Sequence, residues 1–178
     1  MGVVSYETEI ISTIPPSRIF IPVVLDFPQL LPKVLPQVIK SIDIIEGDGG
    51  VGSLRQINFG GEGFQSILLN FILLYIYLFC LWIKHVYVKE RIEAIDEEKL
   101  THSYTVIEGD VLMGKFEKIT NEIKFEATPD GGSMIKSYSS YYTLGDHQIK
   151  DEEIQGGKDK SIGLFKALEA YLLANPDA

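Results

Sequence analysis

A single cysteine, Cys80, is too few for an internal disulfide framework, and it points to a reducing compartment. Histidine is nearly as scarce. His85, His102 and His147 lie in separate stretches, none at ligand spacing from another, so no metal site is expected. Basic residues are outnumbered, 16 Lys and Arg against 25 Asp and Glu, giving a net charge of −9. With no local basic patch to offset that charge, a nucleic-acid partner is not expected. The N-terminal residues from Met1 to Glu7 lack a basic region and a long apolar run, so no signal peptide is read there. No residue pattern calls for a cofactor.

What is present is an ordinary globular composition, 46% hydrophobic over 178 residues, enough for one domain with a real core. Its clearest single element is near the end. From Asp151 to Leu173, Ile154, Ser161, Leu164, Phe165, Leu168, Tyr171 and Leu172 recur at helical steps. Glu152, Lys158, Asp159, Lys166 and Glu169 fall mainly between them, and Pro176 stands just past the end. This is an amphipathic helix of about six turns, and its stripe needs a surface to cover.

The rest of the chain reads as strands and turns. Val3 to Ile11 is a strand, ended by Pro15-Pro16. Ser17 to Leu25 and Gln29 to Val34 are short helices among prolines. Val38 to Glu46 and Leu54 to Phe59 are strands joined by the glycine loop Gly47-Asp48-Gly49-Gly50-Val51-Gly52-Ser53. In the second of them Arg55, Ile57 and Phe59 share one face. Later, Val86, Val88 and Ile92 lie opposite Lys89, Arg91 and Glu93. Leu100, His102, Tyr104 and Val106 share a face, and so do Ile119, Asn121, Ile123 and Phe125. Pro129-Asp130-Gly131-Gly132 is a hairpin turn, and Met134 to Leu144 is the last strand.

One stretch breaks this grammar. Ile67 to Ile83 carries no charge, and Asn70 is its only clearly polar residue. Three readings stand. A transmembrane helix would span about 26 Å, slightly short of a roughly 30 Å hydrocarbon core. A helical insertion would present a greasy surface on the domain. Translated non-coding sequence is the third. A membrane partner is expected only under the first.

The glycine loop has the composition of a phosphate loop, yet Ser53 has no lysine before it and a strand follows. Asp48 would also repel phosphate. The loop therefore reads as a hairpin connection that Gly47, Gly49, Gly50 and Gly52 make sterically possible.

The order of strand, two short helices, six strands and a terminal helix resembles the pathogenesis-related class 10, or Bet v 1-like, family of plants. The resemblance rests on Tyr6-Glu7-Thr8-Glu9, Gly47-Asp48-Gly49-Gly50-Val51-Gly52 and Tyr104-Thr105-Val106-Ile107-Glu108-Gly109-Asp110. Ala127-Thr128-Pro129-Asp130-Gly131-Gly132-Ser133, Gly145-Asp146-His147 and Glu169-Ala170-Tyr171-Leu172-Leu173-Ala174 add to it. It implies an α+β helix-grip fold: a seven-stranded antiparallel sheet wrapped around the long C-terminal helix, two short helices and an internal cavity. The whole chain, 1–178, would be a single such domain interrupted at about 65–84. In the family a tight connection stands there, so about 20 residues are surplus, which favours translated non-coding sequence from a retained intron.

The resemblance also implies a function. The expectation is a defence-related protein of the plant cytoplasm or nucleus that binds a small amphipathic phytohormone, flavonoid or sterol-like metabolite. The expected ligand contacts are Arg55, Ile57, Phe59, His102, Tyr104 and Asn121, with Ile119 and Ile123 beside them. The family more often has lysine and tyrosine where Arg55 and His102 stand. Abscisic acid receptors that inhibit a protein phosphatase share the fold, which makes a phosphatase partner an analogy. The alternative from another class is a ribonuclease, for which the matching residues are Glu117, Glu169 and Tyr171 with the glycine loop. Two carboxylates would then act as acid and base.

Overall fold

The computed structural model describes residues 2–60, 86–145 and 151–176, with the side chains of 151–154 and 160 outside the description. The apolar run Ile67 to Ile83 lies outside the described residues, as do Cys80, His85 and His147.

Strands β1 (Val3–Ser12), β2 (Ile39–Glu46), β3 (Leu54–Phe59), β4 (Tyr87–Asp96), β5 (Thr101–Gly109), β6 (Phe116–Ala127) and β7 (Ser133–Thr143) form one antiparallel sheet. Their order across the sheet is β1-β7-β6-β5-β4-β3-β2. Consecutive strands from β2 to β7 are neighbours, and the chain's first strand closes beside its last. Helices α1 (Pro16–Phe20), α2 (Phe27–Val34) and α3 (Asp151–Ala174) pack on the inner face.

The stretch expected as one helix over Ser17 to Leu25 changes type midway. After α1, Ile21–Leu25 is a π-helical turn, closed by Asp26 N–H donating to Ile21 C=O at 3.0 Å. Pro22 explains the widening: it has no N–H for the α-helical bond to Arg18 C=O, and its ring crowds that carbonyl.

The glycine loop is a closed connection. Gly47, Gly49 and Gly52 have φ of 87°, 98° and 87°, the left-handed region that glycine tolerates. At Gly47 a Cβ would also stand 2.3 Å from Ser53 Oγ. The loop's N–H groups are spent within the fold: Gly49 on Ser53 Oγ at 2.9 Å, Gly50 on Asp48 Oδ1 at 2.9 Å, Gly52 on Ile92 C=O at 2.7 Å. They form no anion cradle.

Helix α3 is seated through its C-terminal half, where Phe165, Leu168 and Leu172 are buried. Arg18 of α1 donates to the α3 carbonyl of Leu172 at 3.3 Å and to Pro176 C=O at 2.9 Å, supplying cationic donors at the negative end of the helix. Two members of the expected pattern are corrected. Ser161 is exposed, and Ile162 packs against the core instead. Glu169, placed on the polar side by periodicity, is buried. One residue is about 100° of helix, so the edge of a stripe is set by what the helix meets. Ile154 lies among the side chains outside the description.

Among the described residues the apolar core falls into three clusters. The first joins Ile10, Ile14, Phe20, Phe125 and Ile135 to Phe165 and Leu172. The second joins α2, β2 and β3 to Leu168 through Leu31, Ile39 and Ile57. The third, Val88, Val106, Leu112, Phe116 and Ile119 with Phe59, Tyr104 and Tyr141 against it, contains no residue of α3. Among the described residues the buried apolar contacts between sheet and helix therefore gather along the C-terminal half of α3, while Gly157 and Lys158 of its first half lie beside Tyr141 and Tyr6 of the sheet.

Candidate functional site: a polar band on the concave face

Between these clusters the inner face of the sheet turns polar. Strand alternation aims Arg55, Glu90, His102, Tyr104, Asn121 and Ser139 inward. The register sets them side by side: Arg55 opposite Glu90, and Tyr104 opposite Asn121, which is opposite Ser139, which is opposite Tyr6.

Arg55 and Glu90 are each 4% exposed and form a buried ion pair, Nε donating to Oε1. The Arg55 guanidinium carbon also lies 4.8 Å from the centre of the Phe27 ring, so α2 covers the charge with an aromatic face. Two buried ions need such supports, because leaving water costs several kcal/mol per ion.

His102 is 3% exposed. Its Nδ1 lies 3.1 Å from Ala94 C=O. A carbonyl only accepts, so Nδ1 carries the proton and Nε2 is a bare lone pair. That Nε2 is buried and has no hydrogen-bond partner among the described residues. Burial, and next the Arg55 charge, push the imidazole down to about 4, against the upward pull of the Ala94 carbonyl. His102 is thus neutral at pH 7. Its ring stacks on Tyr104 at 5.4 Å and 27°.

Tyr104 is held well above the usual phenol range by burial and by the Glu90 charge, with Arg55 opposing. Although enclosed, it keeps some accessible surface, as do Phe59, Asn121, Ile123, Ser139 and Tyr141. These inward residues thus leave side-chain surface that a small molecule can contact. Asn121 has a partner: Ser139 Oγ donates to its Oδ1 at 2.8 Å. Ile57 and Ile119 are core residues of the second and third clusters. All six expected ligand contacts thus share one face.

Sequence reasoning missed Glu90, Ser139 and Tyr6. Glu90 had a signal, since it alternates with Val88 and Ile92, but a carboxylate between two apolar inward positions needs its partner to make sense.

The ribonuclease residues are not brought together. Glu117 is exposed at the start of β6. Glu169 sits beside the end of β1, bonded by the Ser12 side chain and the Thr13 backbone and ion-paired with Lys166 at 2.7 Å. Burial raises its carboxyl, and these partners more than offset that, leaving it below its usual value. Ser12 pairs with Ser133, which pairs with Ala127 at the far end of β6 from Glu117. The two carboxylates are therefore about 30 Å apart at roughly 3.3 Å per strand residue. Tyr171 packs on the first and second apolar clusters. No group of three or more His, Cys, Asp or Glu able to hold a metal occurs among the described residues.

The chain is 47% identical to the major allergen Pru ar 1 of Prunus armeniaca over 178 residues, covering 100% of this chain and 99% of that one. It is 46% identical to the major strawberry allergen Fra a 1-2 of Fragaria ananassa, over 99% and 98%. Among solved structures, Ara h 8.0201 superposes with a TM-score of 0.78 at 36% identity, covering 98% of this chain and 100% of that one. Norcoclaurine synthase from Thalictrum flavum, solved in complex with dopamine and hydroxybenzaldehyde, shares the fold with a TM-score of 0.64 at 21% identity, over 98% and 88%. The profile of the Pathogenesis-related protein Bet v 1 family matches residues 79–175, a match that begins inside the apolar run. On sequence, sheet order and helix placement alike, the chain belongs to the Bet v 1 family.

Proposed function

We propose that this protein binds a small amphipathic plant metabolite, flavonoid, sterol-like or hormone-like, between the concave sheet face and α3, as a defence-related protein of the cytoplasm. One observation carries the reading. The inner face holds polar side chains with unspent hydrogen-bonding capacity, His102 Nε2 foremost, next to aromatic and aliphatic residues that keep accessible area. Sites for small molecules combine an apolar lining with a few placed polar groups in this way. Among the described residues no helix is long and apolar enough to cross a membrane.

An abscisic acid receptor role with a phosphatase partner rests on the shared fold alone. A carboxylate ligand there would need a free cation, and Arg55 is already paired with Glu90. The separation of Glu117 from Glu169 weighs against acid–base cleavage of RNA by that pair.

The test is equilibrium titration of the full chain with an uncharged environment-sensitive naphthalene fluorophore. Saturable binding at about micromolar affinity, displaced by flavonoids or hormones, is expected. Asn121→Leu and Tyr104→Phe should change the rank order of displacing ligands more than they change stability. Absence of saturable binding removes the reading.

A further inference from the structure

We propose that His102 makes the site selective for ligands that present a neutral hydroxyl donor, a phenol or an alcohol, over ligands that present a carboxylate or only an acceptor. The inference rests on the binding reading above and narrows its ligand class.

The geometry fixes the polarity of each group. Nδ1–H donates to Ala94 C=O, so the neutral imidazole presents a lone pair on its other nitrogen. The Tyr104 ring, stacked at 5.4 Å, restrains the imidazole plane. A buried acceptor with no donor is costly, and most such groups in folded proteins are paired. Here the pairing is left to an incoming group, admitted by the modest side-chain shifts that accompany binding.

The neighbours exclude an anion. Glu90 supplies a carboxylate to the same face, and Arg55, the one cation next to His102 among the described residues, is engaged with it. Beside Nε2 an incoming carboxylate would meet a lone pair and a like charge in a low-dielectric space, with the adjacent guanidinium already paired. The nearest other cation of the band among the described residues, Lys158, lies over the Tyr6 ring on the far side of Asn121 and Ser139. A hydroxyl would donate to Nε2 and could accept from Tyr104, whose hydroxyl makes no hydrogen bond with the described residues.

Three probes of one shape separate these possibilities: β-naphthol, its methyl ether and β-naphthoate, titrated against the full chain at neutral pH. The naphthol should bind about threefold to tenfold more tightly than the ether, the worth of one net neutral hydrogen bond, and the naphthoate should bind weakest. In His102→Phe, which keeps the stacking ring and removes the lone pair, the advantage of the naphthol should vanish while the ether's affinity stays within about twofold. In the unaltered protein the nitrogen NMR signal of His102 Nε2 should move with the naphthol and stay still with the ether. Equal binding of naphthol and ether, a naphthol advantage that survives His102→Phe, strongest binding of the naphthoate, or an unmoved Nε2 signal under saturating naphthol each overturns the assignment. If none of the three probes binds, the binding reading falls and the assignment with it; if all bind without discrimination, the assignment alone falls.

Discussion

Arg55 and Glu90 face each other across β3 and β4 as a directly paired couple, both almost wholly removed from water, with Phe27 lying over the guanidinium. This pair fixes the electrostatics of the inner face. After burial, which acts most strongly on both groups, it supplies the charge that helps hold His102 neutral and the carboxylate that helps raise Tyr104. It also joins the two strands that flank the apolar run.

Breaking the pair from one side should be costly. Glu90→Leu leaves a buried guanidinium unpaired and should destabilise the fold by about 3–5 kcal/mol, whereas Arg55→Met with Glu90→Leu should return much of that loss. Urea denaturation of both variants checks this. A single variant within about 1 kcal/mol of the parent, or a double variant worse than the single, would show that the pair is not the organising contact.

Acid should weaken the fold through His102. Its folded value, about 4, lies below the ordinary 6.5, so the folded state resists a proton that the unfolded state accepts. The stabilisation from this group is whole above about pH 6.5 and is lost as pH falls through about 4, in total about 3 kcal/mol. Urea midpoints measured across that window should fall less steeply in His102→Phe than in the parent. Parallel curves would refute the depressed value.

RNA degradation should not depend on the family's ribonuclease positions. Glu117→Gln, Glu169→Gln and Tyr171→Phe, combined in rigorously purified protein, should leave any such activity unchanged, because Glu117 lies at the start of β6 and Glu169, on α3, lies beside the end of β1 at the opposite end of the sheet. A loss of about 100-fold, the size expected of a true acid–base pair, would restore the enzyme reading.

Removing Gln65 to Lys84 should raise soluble yield and keep the fold. The strands on either side of the run are already joined, with Phe59 N–H donating to Val86 C=O at 2.9 Å and Asn58 opposite Tyr87. A short connection between them is therefore geometrically at hand. Exposed apolar area drives association at roughly 25 cal/mol per Å², and the run is almost wholly apolar. Circular dichroism and gel filtration of the deletion variant measure the outcome. Loss of the sheet signal would make the run an integral part of the domain.

Local order was written into the chain. Alternation alone placed Arg55, Ile57, Phe59, His102, Tyr104 and Asn121 on inward faces, because a strand's two-residue period is a property of its own backbone. Proline marked α1 and α2, glycine marked the β2–β3 loop, and helical spacing marked α3. Tertiary structure decided who meets whom. Glu90 gains meaning only through its register with Arg55, across a connection whose length in sequence says nothing about pairing. Asn121 is satisfied by Ser139 of a different strand. Glu169 left the solvent because α3 happens to pass the end of β1, where Ser12 and Thr13 receive it. His102 has the same residue type in any register. Its ring is neutral through burial first and the Arg55 charge second, and its Nε2 is the unpaired nitrogen because Nδ1–H donates to Ala94, all brought about by sheet pairing that no local pattern encodes.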